Sequence, residues 1–582
     1  MKLSVLALDY DGTIARNDRL DPDVLDAITY ARRRKVIVLL VTGRILEELR
    51  RVAGDLDFVD GVVAENGAVL HIPTSGHTTL LAPPIPPSFL SSLEDRALRF
   101  AAGRCLVDAD AGFAHAMLDV IRELELPIVL LFNRSRVMAL PQGVSKATGL
   151  SAALGILRVS PRNTVAIGDA ENDYELLRFA EVGAAVEWGS RSLQAAADVV
   201  IEGAGPASVA DFIRRVAASG HLPLPARARR RLAIGTTADG GEFSLGVRNR
   251  NVLITGDTNS GKSWLAGLLC ERLILHGYSL CVIDPEGDYT SLGVLPGTTV
   301  LGGEDEPPAL RVLLHELRHP ERSVVIDLSR LRHEDKCDYV RTVLPALNVM
   351  RRRTGTPHRI IIDEAHYFLR DAVERGLLDL EFNGYTVVTY WPSRLPPSFV
   401  AQTGVILVTR ESSADEIAAL RDHCDACRHR ISAAWETLPH LRLDQAVALP
   451  TAEESSGELR TFTIGERLTP HVRHRTKYVD VPVSDRRAFV FGSGDKVVAR
   501  ARTLREFVDV FVALAPAAAA AYLRRGDPSR WIADVFGDHT LACELQGYER
   551  RYAMTEDPEA LRLVARAITE RYELAAPTLD RG

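Results

Sequence analysis

Short apolar runs recur through the first 220 residues, among them Val5-Leu6-Ala7-Leu8, Val36–Val41 and Thr164–Ile167, with stretches of helical character between them. This alternation predicts a parallel sheet covered by helices. Inside it, Asp60–Leu70 continues the core, and the proline-rich stretch 83–87 leads out into a small α/β insertion over about 83–137. The pattern lapses at His221-Leu222-Pro223-Leu224-Pro225 and the arginines 227, 229, 230 and 231. Alternating prolines followed by charge predict a solvated linker over 221–234, with contact to a polyanion as the other reading of those arginines. A second strand–helix series fills 235–450, and the polar residues of 451–477 predict a second linker. Residues 478–582, with an alanine-rich helix at 515–523, predict a small, mostly helical terminal domain. The expected fold is therefore α/β and multidomain: a parallel sheet with a small α/β cap over 1–220, a second α/β domain over 235–450, and the helical terminal domain.

Composition narrows the setting. A chain of 582 residues with 46% hydrophobic and 25% charged residues is long enough for three or four ordinary soluble domains. The net charge of −7 opposes a whole-chain affinity for nucleic acid or anionic lipid. No apolar run approaches the ~20 residues that span a bilayer, so no membrane partner is expected. The opening Met1–Thr13 has only a short apolar run, broken by Asp9, and reads as a buried strand of a cytoplasmic protein rather than a leader. The cysteines are scattered. Cys424 and Cys427, flanked by His423 and His429, form one pair without the second pair that a structural zinc site usually needs, and read as a solvated helix end. Only seven lysines occur, and two of them, Lys146 and Lys262, fall in two unrelated phosphate-binding patterns.

The first pattern begins where Val5–Leu8 runs into Asp9-Tyr10-Asp11-Gly12-Thr13. Two carboxylates at the end of a buried strand are costly unless a cation holds them. The arrangement suits phosphoryl transfer, with one carboxylate attacking phosphorus, the other handling protons and Mg²⁺ neutralising the crowded oxygens. Thr42, Gly43 and Arg44 follow the next strand and offer a hydroxyl and backbone N–H groups to a phosphate oxygen. Lys146 sits near a helix start, and Gly168-Asp169-Ala170-Glu171-Asn172-Asp173 ends a further strand with more oxygen ligands. These four stations, in this order, resemble the haloacid dehalogenase superfamily of phosphatases over about residues 1–215. The resemblance implies a Rossmann-like core, Asp9 as the nucleophile forming an aspartyl-phosphate, and Asp11 as general acid and then base. It implies Thr42, Gly43 and Lys146 on the phosphoryl group. It also implies Mg²⁺ on Asp9, Asp169 and the backbone carbonyl of Asp11, with Asp173 beside it. The insertion after the second station resembles the branch that includes phosphoglycolate, sugar-phosphate and sucrose-phosphate phosphatases, which implies a small phosphorylated metabolite as substrate.

The second pattern is Gly256-Asp257-Thr258-Asn259-Ser260-Gly261-Lys262-Ser263, between the strand Asn251–Ile254 and an apolar helix. That context is what a phosphate-binding P-loop requires, with backbone N–H groups around the phosphates, Lys262 on the β- and γ-phosphates and Ser263 on Mg²⁺. Further on, Arg359–Ile362 ends in Asp363-Glu364, where Asp363 can hold the magnesium through water and Glu364 can polarise an attacking water. Together with Asp284-Pro285-Glu286-Gly287-Asp288, these residues resemble the HerA/VirB4 branch of the FtsK-like ATPases over about 235–445. The resemblance implies ATP as ligand or substrate and assembly into an oligomer. Two features depart from it: Tyr390-Trp391 follows the next strand in place of a polar sensor, and the phosphatase-like region stands where HerA translocases carry a β-barrel. Arg394 and Arg410 are candidates for a neighbouring subunit's ATP or for local ion pairs. The terminal domain resembles a small domain of uncharacterised function.

The expected activity is a Mg²⁺-dependent phosphomonoester hydrolase fused to an ATP-binding and ATP-hydrolysing domain. Two rivals stand beside it, a nucleic-acid end-processing phosphatase joined to a kinase, and an ATP-dependent assembly module on DNA carrying a phosphatase. The Asp363-Glu364 pair counts against the first rival, and nucleic acid as a partner stays open.

Overall fold

The structure is a computed structural model that describes residues 1–133, 135–222, 230–248, 250–370, 376–423, 435–449, 459–470, 483, 487–493, 496–536 and 539–572. The Cys424/Cys427 pair, Arg227, Arg229 and the acidic stretch at 453–457 lie outside the described residues.

β1 (Val5–Leu8) is apolar on both faces and therefore takes the middle of its sheet. A short hairpin, β2 (Ala15–Arg16) and β3 (Arg19–Leu20), follows it. Next come β4 (Ile37–Val41), β5 (Gly61–Ala64), β6 (Val69–Ile72) and β7 (His77–Leu80). The chain then leaves the sheet for β8 (Phe100–Ala102), β9 (Val107–Asp110), β10 (Ile128–Asn133) and β11 (Arg136–Pro141). It returns with β12 (Thr164–Gly168), β13 (Val182–Val186) and β14 (Val199–Ile201). The main sheet has the order β14-β13-β12-β1-β4-β5-β6-β7. It is parallel from β14 to β5, and β6 and β7 are antiparallel. Register pairs Leu8 with both Ile167 and Leu40, so Asp9, Thr42 and Asp169 emerge at one edge, the carboxyl ends of adjacent strands.

The insertion is a separate antiparallel sheet, β10-β11-β9-β8, packed under two helices around Phe89, Leu93, Met117 and Val120. It runs to Pro141, past the expected end near 137, because the strand Arg136–Pro141 has to pair with the full length of β10.

The second sheet has eleven strands. In chain order they are β15 (Leu232–Thr237), β16 (Glu242–Leu245), β17 (Asn251–Thr255), β18 (Leu280–Asp284), β19 (Thr298–Gly302) and β20 (Ser323–Asp327), then β21 (Arg359–Ile362), β22 (Tyr385–Thr389), β23 (Thr403–Val408), β24 (Gln445–Leu449) and β25 (Arg460–Ile464). Their order is β16-β15-β25-β24-β23-β17-β22-β21-β18-β20-β19. The run from β23 to β19 is parallel, and the strands from β24 outward are antiparallel.

Both expected linkers need correction. β15 begins at Leu232, inside the stretch 221–234, and β25 lies inside 451–477 and joins β24 to β15. The short Thr461-Phe462-Thr463-Ile464 alternation places Phe462 in the core, stacked on Phe243 at 4.1 Å, and its polar flanks concealed it. Beyond β25, Arg467 and Thr469 are pinned to Glu271 on the helix Lys262–Leu275.

The two large sheets also share a core. One apolar cluster runs from Leu6 and Ile28 through Phe212 and Leu222 to Phe243, Leu268 and Tyr278. At the joint, the fully buried Glu181 meets Arg162 at 3.2 Å, Arg248 at 2.8 Å, Arg230 at 3.5 Å and the Tyr278 hydroxyl at 2.9 Å. Arg230, read from sequence as a solvated linker residue, thus faces a buried carboxylate.

The terminal region pairs β26 (Phe489–Ser493) with β27 (Lys496–Ala501) and packs its helices around Phe489, Phe507, Tyr522 and Trp531. Among the described residues, no helix is long and apolar enough to cross a membrane.

Candidate functional site

At the first sheet's edge, Lys146 opens the helix Lys146–Leu157, capped by Ser145, and is almost fully buried. Its Nζ donates to Asp9 Oδ1 and to Asp173 Oδ1, both at 2.6 Å. The Thr13 hydroxyl donates to the other Asp9 oxygen at 3.2 Å. Asp173 Oδ2 accepts the backbone N–H groups of Asp169 and Ala170, so both of its oxygens are engaged in holding the loop and the lysine. Asp9, Asp169 and Asp173 bring carboxylate oxygens within 4.8 Å of one another. Gly12 is required here: a Cβ on it would lie 2.3 Å from Asp169 Oδ2.

The electrostatics of this cluster follow from burial. Burial, then the Asp173 charge, push the Asp9 carboxyl well above the ordinary range, while Lys146 opposes them. Burial pulls the Lys146 ammonium down, but Asp173 and Asp9 outweigh it and raise it. A buried cluster of three carboxylates and one ammonium is short of positive charge. Its hard, all-oxygen donors therefore fit a divalent cation such as Mg²⁺.

Asp11 does not join that cluster through its side chain. Arg44 grips both its oxygens, Nε to Oδ2 and Nη2 to Oδ1, each at 2.6 Å, and also pairs with Asp18. Arg44 was legible only as part of the Thr-Gly-Arg turn; its task as the clamp on Asp11 emerges from the fold. The Thr42 hydroxyl accepts the Arg44 N–H at 3.1 Å. A Cβ built on Gly43 would stand 3.7 Å from both Asn172 Nδ2 and Met138 Sδ. The inserted sheet therefore reaches over the second station through Met138, a residue that nothing in the sequence marks. Of the polar residues in the insertion, His115 is largely exposed beside Asp119, and Arg134 lies outside the described residues.

In the second sheet, β17 lies between β22 and β23, and β21 is one strand further out. The loop 256–263 follows β17. Gly256, at φ 146°, lies so close to Thr409 Oγ1 that a Cβ would stand 2.2 Å away. The loop is held by Ser260 Oγ, which bonds the Asp257 carbonyl and Thr409 Oγ1, both at 2.6 Å. Lys262 Nζ donates to the same carbonyl at 2.6 Å, and the half-buried Ser263 follows it in the helix. Asp257 Oδ2 accepts the Ser412 hydroxyl at 2.7 Å and lies 4.0 Å from Arg410 Nε.

Asp363 and Glu364 are buried at the end of β21, with Glu364 in the left-handed region at φ 43°. His366 approaches Glu364 at 3.6 Å and bonds Thr389 Oγ1 at 3.1 Å. Asp284 is a loop cap: its carboxylate accepts the N–H groups of Glu286, Gly287, Asp288 and Tyr289. Arg394 and Arg410 both have local partners, Arg394 lying 3.6 Å over the Trp391 ring. Nothing in the sequence marks Glu411. Burial, together with nearby Asp257, pushes its carboxyl up to about 8.

Comparison with known proteins finds two matching stretches of the chain. Residues 6–117 and 122–213 match the haloacid dehalogenase-like hydrolase family, and residues 234–373 match the central domain of the helicase HerA. The chain is 32% identical over 208 residues to a phosphoglycolate phosphatase of Natronomonas pharaonis, covering 34% of this chain and 90% of that protein. It is 28% identical over 219 residues to one of Methanothermobacter thermautotrophicus, covering 37% and 98%. A solved haloacid dehalogenase-like hydrolase from Bacteroides thetaiotaomicron aligns with TM-score 0.33 at 18% identity, over 37% of this chain and 100% of the other.

Proposed function

The chain belongs, through residues 6–213, to the haloacid dehalogenase-like hydrolase family, and on that premise we propose that this domain is a phosphomonoester hydrolase working through an aspartyl-phosphate on Asp9. The observation that carries this reading is the buried Lys146, whose ammonium bridges Asp9 and Asp173 at the carboxyl edge of the sheet. Asp9 attacks phosphorus, and the phosphoryl oxygens are received by Lys146, the Thr42 hydroxyl and the N–H of Gly43. Asp11, oriented by Arg44, gives a proton to the departing oxygen and later takes one from the hydrolytic water. Asp9, Asp169 and the Asp11 carbonyl would hold Mg²⁺, which supplies charge neutralisation when bound; Asp173 supports it from behind. The likeness to phosphoglycolate phosphatases supports a small phosphorylated acid as substrate. A phosphomonoester panel with phosphoglycolate as one member, run with and without ATP, tests this. Equal, trace rates across the panel in the presence of Mg²⁺ would overturn it.

The middle, HerA-like domain we read as an ATP-binding and ATP-hydrolysing unit, with Lys262 and Ser263 on the phosphates and their metal, Asp363 behind the metal and Glu364 orienting water. Support comes from the burial of Asp363 and Glu364 one strand away from the phosphate loop's neighbour β22. The kinase alternative is tested in the same assay: ATP consumed only with a 5′-hydroxyl nucleic-acid end would favour it.

A further inference from the structure

The terminal domain touches the phosphate loop at two consecutive residues. Arg487 Nη1 donates to the Thr258 hydroxyl, and Asn259 Nδ2 donates to the Phe536 carbonyl at 3.3 Å. Both contacts come from one aromatic cluster. The Arg487 carbonyl accepts the Trp531 indole N–H at 2.8 Å, Trp531 stacks on Phe507 with ring centroids 5.1 Å apart, and Phe536 packs edge-on to Trp531 at 4.8 Å. The arginine is thus held at its backbone by the aromatic core of its own domain, while its guanidinium reaches across to another.

Position and charge give this contact a chemical meaning. Residues between the two glycines of such a loop turn their N–H groups inward around the phosphates, so a guanidinium on the side chain of Thr258 lies at the rim of that nest. Arg410 and Arg394 have other partners among the described residues, Arg410 beside Asp257 and Arg394 over Trp391. Among the described residues Arg487 gives one side-chain N–H to a neutral hydroxyl, and its fork geometry suits a phosphate oxygen as well.

We propose that Arg487 is the cation that the terminal domain supplies, within the same chain, to the γ-phosphate of ATP during hydrolysis. This rests on the ATPase reading of the middle domain. In the reaction, the water oxygen bonds the γ-phosphorus, and the β–γ bridging oxygen departs on ADP with the bonding electron pair. The water proton passes to Glu364. Arg487 meets the charge that gathers on the transferred group, a contribution of the kind that changes turnover by about 10³-fold or more.

The test compares wild type, Arg487→Ala, Arg487→Lys and Lys262→Ala in full-length protein. The readouts are ATP turnover, ADP affinity by calorimetry and trapping of ADP with aluminium fluoride, and phosphatase rate reports that each variant is folded. The expected result for Arg487→Ala is kcat lower by about 10³-fold, ADP affinity within about threefold and loss of the fluoride-trapped complex, with partial recovery in Arg487→Lys. An unchanged kcat would overturn the proposal, and a raised kcat would show the contact to be an inhibitory lid instead. Recovery of turnover on mixing Arg487→Ala with Lys262→Ala would overturn the assignment within one chain. A wild type that neither binds ADP nor hydrolyses ATP would instead bring down the ATPase reading, and the proposal with it.

Discussion

Asp9 and Lys146 are both buried and stand 2.6 Å apart, and the same ammonium also holds Asp173, so Lys146 ties the two carboxylates together. Asp9→Asn keeps the volume and the hydrogen bond to Lys146 but removes the nucleophile. Phosphatase kcat should fall by about 10³-fold or more while the far-ultraviolet spectrum and the thermal midpoint hold. A folded variant with full activity would rule the mechanism out. At the second site the proposed roles of Lys262 and Glu364 separate by the step each would serve. On the proposed reading, Lys262→Ala removes the ammonium that would face the β- and γ-phosphates and should weaken ATP binding in calorimetry. Glu364→Gln keeps the loop intact and should bind ATP while losing turnover. Identical affinity for wild type and Lys262→Ala would sink the P-loop reading.

At the scale of elements, the helix Lys262–Leu275 is fastened by a strap that sequence reasoning took for linker. Glu271 accepts Arg467 Nε at 3.1 Å, the Leu468 N–H at 2.8 Å and the Thr469 N–H at 3.0 Å, with both charged side chains fully buried. Removing one partner of a buried pair leaves the other charge uncompensated, which costs about 3–5 kcal/mol. Glu271→Ala should therefore lower the unfolding free energy by about that amount in urea titration. A loss under about 1 kcal/mol would mean that the strap is not fastened there. The strap is not legible in the sequence because β25 is a five-residue strand whose pairing partners, β24 and β15, are both antiparallel additions at the sheet's edge. Its alternation is too short to stand out from its polar flanks, and only the neighbouring strands show that it is paired.

At the scale of the whole molecule, the first and second large sheets meet through buried polar groups rather than through a free tether. His358 Nδ1 accepts the Ser279 N–H at 2.7 Å, so its Nε2 carries the hydrogen and bonds Asn163 Oδ1, across the joint, at 3.1 Å. Burial, with Arg162 and Arg351 adding to it, pushes this imidazole down to about 3. The sign follows from linkage. The unfolded histidine takes up a proton near pH 6.5 while the folded one does not, so stability is complete above that value. It is lost as pH falls from 6.5 towards 3, by up to about 1.4 kcal/mol per pH unit. His358→Gln should flatten the decline in unfolding free energy between pH 6.5 and pH 4.5. The same slope in variant and wild type would show that the joint does not hold a neutral imidazole.

The places of Asp9, Asp11, Thr42, Asp169 and the loop 256–263 were legible along the chain because each follows a short apolar run that reads as a buried strand, and that of Lys146 because it stands at a helix start. Chemistry at such strand ends is dictated locally by residue type and spacing. The α/β class followed from the same alternation. Arg44's grip on Asp11, Met138 beside Gly43, Glu411 beside Asp257 and the Arg487–Thr258 contact were not legible, since each joins residues that only long-range packing brings together. The misread linkers have the same cause. Local polarity at 221–234 and 451–477 suggested solvent, whereas Arg230 and Arg467 are polar because each faces a buried carboxylate, Glu181 and Glu271. A charged residue reads identically in water and in a buried ion pair, and only the tertiary structure decides which of the two it occupies.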